Sequence, residues 1–190
     1  MKGGALVRLG AIGGAAVLAA IVASTRSSPR VASPPAAPGI ELAPGSPAPP
    51  AALSLADELE QRLVGLTNAH RTRVGLRPLN REAGLSAAAR RHSEDMLRRR
   101  FFAHVNPDGQ TPADRVARIP GVVAGDVGEN IWMWSGASRR PADALVAQAV
   151  AEWMASPPHR ENILRPGYTR LGVGASADAT EVRLTELFME

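Results

Sequence analysis

The 190-residue chain contains no cysteine. That excludes a disulfide framework, a thiol nucleophile, a zinc site with thiolate ligands and a lipid-modified N-terminal cysteine. Aromatic residues make up only 4% of the chain, so each Trp and Phe is expected to hold a defined packing position. Lysine is nearly missing, with Lys2 standing alone among arginines, and the richness in Ala, Arg, Gly and Pro matches the composition of a GC-rich genome. The formal net charge of +4 comes from arginines scattered among Asp and Glu along helical segments. This is the pattern of a solvated surface, not of a stripe that tracks phosphates, and it argues against a nucleic-acid partner. The densest basic run, Arg98 to Arg100, lies where it would complement a helix C-terminus.

Long hydrophobic runs are absent except at the N-terminus. There Lys2 and Arg8 precede an apolar stretch from Leu9 to Ala23, and the small residues "VAS" at 22–24 offer a cleavage site. Residues 1–26 therefore read as a secretory signal peptide or an N-terminal membrane anchor, with both forms open. Residues 27–52, rich in Pro, Ala and Ser, read as a disordered spacer that cannot bury enough surface to offset its ordering entropy. The expected location is secreted or extracytoplasmic, with membrane contact only through the N-terminal segment.

Residues 53–190 are long enough for one domain. Ser54 with Asp57 marks a helix start, and Leu55, Leu59, Leu63 and Leu66 follow at helical spacing, with an end expected near Gly75. "GLRPLN" reads as a turn. A second helix is predicted from about Glu82 to Arg99 with Leu85, Ala89, His92 and Met96 on one face; a short third opens at Thr111-Pro112; a fourth runs from about Pro141 to Ala155 and is stopped by "SPP". "GDVGENIWMW", "YTRLGVGAS" and "EVRLTELF" are strand-like and too close together for parallel crossovers. The fold class expected is α+β, an α-β-α sandwich with a central antiparallel sheet packed between helices.

His104 and His159 fall in expected loops or turns, and Glu129 follows a glycine at the mouth of a strand, where backbone can pass close to a ligand. Two imidazoles and a carboxylate can form a divalent-metal site. The three residues stand 25 and 30 residues apart, with no local signature, so metal binding, acid/base chemistry and structural histidines all stay open.

The ordered series "LTNAHRTRVGLRPL", "HSEDM", "FFAHVNPDGQTPADR", "GEN", "AEWMASPPHRENIL" and "YTRLGVG" resembles the CAP superfamily (cysteine-rich secretory proteins, antigen 5 and pathogenesis-related 1 proteins) in its cysteine-free bacterial form. The match runs from about Leu59 to Phe188. The resemblance implies an α-β-α sandwich with a cleft lined by two His and two Glu. By motif, His104 and His159 take the histidine positions and Glu129 takes the "GEN" glutamate, while the second glutamate is replaced by Ser156. His104, His159 and Glu129 are thus the expected metal residues, with Zn²⁺ the ion that suits imidazoles, and Ser156 is a further cleft residue that cannot supply charge. Trp153, Met96 and Phe102 are expected in the core. Asn68 and His70 are expected to tie the first helix to a loop, and Arg160 and Asn162 to fix the segment that aims His159.

Three functional readings follow from the resemblance. The first is an exported binding domain for a divalent metal, a lipid or small apolar ligand, or a cell-envelope component. The second is a protein-interaction or signalling module of the envelope. The third is a metal-assisted hydrolase acting on peptide or envelope polymer, against which stand the missing second glutamate and a Ser156 with no recognisable acid partner.

Overall fold

The computed structural model describes residues 53–190 except 124 and 137–139; the signal or anchor expected at 1–26 and the spacer at 27–52 lie outside the described residues. The chain divides into two units, Met1–Ala48 and Pro49–Glu190, and the described residues all belong to the second.

Helix α1, Leu55–Arg73, starts where Ser54 accepts a hydrogen bond from the Asp57 amide at 3.2 Å, and buries Leu59 and Leu63. Strand β1 is only Asn80–Arg81. Helix α2, Ala83–Arg99, is capped by the Glu82 carboxylate, which accepts from the amides of Gly84 and Leu85. Helix α3, Pro112–Ala117, carries a full capping box between Thr111 and Asp114. Strand β2 is Val127–Ser135, helix α4 Ala142–Ala155, helix α5 Pro157–Leu164, strand β3 Arg170–Ala177 and strand β4 Glu181–Met189.

The sheet order is β1-β3-β4-β2, with β3, β4 and β2 antiparallel and β1 added parallel to β3. Side-chain alternation divides the sheet's burial between two layers. Leu171, Val173, Ala175, Val182, Leu184 and Phe188 pack with α1, α4 and α5, whereas Leu187 and Met189 pack with α2 and α3. This is the expected α-β-α sandwich. Trp153 and Met96 are in the core as expected.

Two features explain the tight stacking. In β3, a Cβ on Gly172 would lie 2.3 Å from the Leu85 carbonyl carbon, and one on Gly174 would lie 2.0 Å from the Arg90 amide nitrogen. The alternate glycines of "RLGVG" therefore let α2 lie directly on the strand. On the other layer, the fully buried Arg71 donates to the carbonyls of Arg77, Ile163, Arg165 and Tyr168 at 2.7–3.2 Å. One guanidinium thus fastens the end of α1 to the end of α5 and to the entry of β3, and its desolvation is met by hydrogen bonds.

Four local expectations change. "SPP" ends α4 but also begins α5, because Pro157 and Pro158 occupy the first positions of a helix, where the missing amide donors have no intrahelical acceptor. His159 is consequently a first-turn helical residue, not a loop residue. "GLRPLN" contributes β1 at its end, too short to show periodicity. Asn68 does tie α1 to the following loop, through both Leu79 backbone groups at 2.7 and 3.1 Å, but the His70 ring has only Arg73 as a hydrogen-bond partner among the described residues. Phe102 is exposed; Phe101 instead packs edge-on against His92, with ring centroids 5.9 Å apart.

Candidate functional site

Glu129 lies on β2, one of the two edge strands of the sheet, with its side chain almost wholly buried. Oε1 receives His104 Nδ1 at 2.9 Å and Oε2 receives Arg115 Nη2 at 2.5 Å. Arg115 comes from α3, and its Nη1 also donates to the carbonyls of His104 and Gln110 at 3.0 Å. One guanidinium therefore neutralises the buried carboxylate and holds the loop that carries His104. Asn106 completes that loop: its side-chain oxygen accepts from the amides of Asp108 and Gln110 at 3.1 and 2.9 Å, which turns "NPDG" back on itself.

Behind Glu129 sits His92 of α2, buried, with Nε2 3.1 Å from the Ala103 carbonyl and 3.9 Å from Glu129 Oε1. A carbonyl only accepts, so Nε2 carries the proton. Burial lowers the His92 pKa, against the opposing pull of Glu129, which keeps the ring neutral at pH 7.

His159 approaches from α5. Its Nδ1 is 2.8 Å from the Ser156 hydroxyl, so Ser156, read from the sequence as having no recognisable acid partner, does meet an imidazole. No carboxylate among the described residues hydrogen-bonds His159. Burial lowers the His159 pKa first, and the charge of nearby His104 adds to the effect. The two imidazoles come from different layers, His104 from the loop after α2 and His159 from the first turn of α5.

The mount of His159 is a chain of amides. Asn130 donates to the His159 carbonyl at 3.2 Å, and Asn162 donates to Asn130 Oδ1 at 3.0 Å and to the Glu129 carbonyl at 3.3 Å. Arg160 adds a bond to the Met154 carbonyl. Gly128 is what allows this approach: a Cβ there would lie 2.7 Å from both Asn162 Oδ1 and the Tyr168 hydroxyl. The glycine beside Glu129 thus admits α5 rather than a ligand. Under Asn130 lies its cross-strand partner Glu186, fully buried, accepting from the Thr67 hydroxyl at 2.5 Å. Burial pushes its carboxyl up to about 8, against the Thr67 bond and the neighbouring Asn130 amide.

The structure therefore joins His104 directly to Glu129 and His159 directly to Ser156. Among the described residues no group of three or more His, Asp or Glu side chains is gathered to hold a metal ion. Sequence reasoning missed Arg115, Asn130 and Glu186. Arg115 stood in the capping-box helix "TPADR", where it reads as a helix-surface charge, and the other two stood in strands whose facing was not resolved.

An α-β-α sandwich around a four-stranded sheet defines the class of this molecule. Residues 64–187 match the model of the cysteine-rich secretory protein family, CAP, and the chain belongs to that family. It is 37% identical to YkwD of Bacillus subtilis over 115 residues, 60% of this chain and 41% of YkwD. Among solved structures it is similar to an extracellular SCP-domain protein of Bacillus anthracis, at 30% identity and a TM-score of 0.58, covering 71% of this chain and 41% of that one. It shares the fold of NaASP2, solved with Zn²⁺, at 14% identity and a TM-score of 0.50, covering 74% of this chain and 82% of that one. The chain thus spans under half the length of YkwD and of the Bacillus anthracis protein.

Proposed function

We propose that this is an exported CAP domain whose cleft binds a divalent metal through His104 and His159 and, with it, a small apolar or cell-envelope ligand. The observation that carries the reading is the division of labour on each ring. Nδ1 of His104 is held by Glu129 and Nδ1 of His159 by Ser156, while neither Nε2 has a partner among the described residues. Orienting one ring nitrogen and leaving the other open is how proteins prepare histidine ligands. Glu129 has both oxygens engaged, so it fits the role of orienting group, and a metal held by two imidazoles alone would be bound weakly, with its other positions open to solvent or ligand.

The donor set suits Zn²⁺ and similar borderline ions and suits Mg²⁺ or Ca²⁺ poorly. Bound there, the ion would supply a Lewis-acidic anchor for a ligand oxygen. Phe102 and Val105, both exposed and close to His104 in the chain, offer apolar surface beside it. Support for export comes from the N-terminal sequence and from the extracellular Bacillus anthracis relative; among the described residues no helix is long and apolar enough to cross a membrane. A hydrolytic role gains nothing from the Ser156–His159 pair, which has no carboxylate behind the imidazole.

The test is calorimetric titration of the full chain with Zn²⁺, beside His104→Ala and His159→Ala. Single-site binding lost in both variants supports the reading. No binding, or binding that survives in both, overturns the metal site.

A further inference from the structure

A second cavity, of about 440 Å³, opens on the outer face of α2, between that helix, the Asn106–Gln110 loop and the end of α3. It is separate from the cleft: His92 and Arg115 form its inner wall, and Glu129 lies beyond them. Two of its three carboxylates are committed. Asp95 is paired with Arg98 at 2.7 Å and Arg99 at 3.4 Å, and Asp108 with Arg99 at 2.6 Å.

Arg91 makes no hydrogen bond or ion pair among the described residues, and Arg118 makes no ion pair there, reaching the Gln110 side-chain oxygen through both Nη atoms, 3.1 Å from Nη2, with Asp114 close enough to feel its charge. Against these two cations stands the unpaired carboxylate of Glu94.

We propose that this pocket binds a small acidic carbohydrate, a hydroxylated ring bearing a phosphate or carboxylate. The oxyanion is held by Arg91 and Arg118, whose planar guanidinium groups match it in geometry and charge. Ring hydroxyls donate to the Glu94 carboxylate. Neutral sugars leave the two cations unanswered, and a bare inorganic anion leaves Glu94 unanswered. The cavity volume suits a single sugar ring with its substituent. This site does not depend on the metal reading, because neither His104 nor His159 lines it.

The experiment is titration of the full chain, followed by calorimetry, with glucose 6-phosphate, glucuronate, inorganic phosphate and glucose, in parallel with the double variant Arg91→Gln/Arg118→Gln. Both arginines are exposed and neither makes an ion pair among the described residues, so the variant keeps the wild-type fold. Expected is one site for at least one of the two acidic sugars, about tenfold tighter than for phosphate or glucose and weakened about tenfold or more in the variant. Which acidic sugar binds tells whether the natural ligand carries phosphate or carboxylate. Absence of saturable binding by both acidic sugars overturns the proposal, as does binding unchanged in the variant. Phosphate binding as tightly as glucose 6-phosphate overturns the carbohydrate assignment.

Discussion

His159 Nδ1 meets the Ser156 hydroxyl at 2.8 Å across the joint between α4 and α5. Ser156 ends one helix and begins the next without making a side-chain cap to either, so its hydroxyl is left for the imidazole. Where the resemblance calls for a carboxylate, a neutral hydroxyl orients the ring. Ser156→Ala is expected to leave helix stability nearly unchanged while releasing the ring of His159, weakening Zn²⁺ binding by about 10- to 100-fold. Calorimetry together with a thermal melt separates the two effects, and a melt lowered as far as the affinity would refute this division of roles.

Arg115 and Glu129 form the most consequential ion pair of the cleft because both are buried. Removing one member strands the other charge away from water. Arg115→Ala is expected to cost about 3–5 kcal/mol by denaturant titration, against far less for the double change Arg115→Met/Glu129→Gln, which leaves no charge behind. An exposed pair such as Arg98–Asp95 contributes about 0–1 kcal/mol by the same measurement.

Helices were legible wherever a buried stripe coincided with a cap. Leu59 and Leu63 behind Ser54, and Leu85 and Ala89 behind Glu82, each announce both a face and a start. The three long strands were legible from their β-branched or alternating content, although burial on both faces hides which side each residue takes. Less visible was anything set by tertiary partners: β1 exists only because β3 lies beside it, and α5 only because two prolines that end one helix suit the start of another. The same holds at the site. His104, Glu129, Ser156 and His159 were named from motifs, but Arg115 reads as an ordinary helix charge until the fold places it on Glu129. Asn130, likewise, is silent until α5 brings the His159 carbonyl to it.

Acid should weaken the fold through His92 and His159. Burial holds both below the ordinary value of 6.5. As pH falls through 6.5, the unfolded chain takes up protons that the folded protein refuses, so stability declines until the folded-state values are passed. His92→Gln should flatten part of this acid limb in urea titrations between pH 7 and pH 4, as expected for a buried ring that must charge. An acid limb of unchanged slope in that variant would show that His92 is not one of its sources.

Glu186 acts in the opposite direction. Its carboxyl is fully buried and is pushed up from 4.5 to about 8, so the folded protein keeps a proton that the unfolded chain releases in the ordinary carboxylate range. Unfolding then releases a proton over that window, and stability falls as pH rises from about 4.5 to about 8, with no further loss from this group above it. Glu186→Gln keeps the oxygen that accepts from Thr67 and removes the ionisation. The variant should match wild type near pH 4 and exceed it at pH 8 and above. Because Asn130, which pairs with Glu186 across the strands, donates to the His159 carbonyl, ionising Glu186 puts a charge directly beneath the mount of that imidazole. Zn²⁺ binding should therefore weaken from pH 7 to pH 9 in wild type and not in Glu186→Gln, although neutral imidazoles alone would hold the metal at least as well at the higher pH. Equal pH dependence in the two proteins would disconnect Glu186 from the cleft.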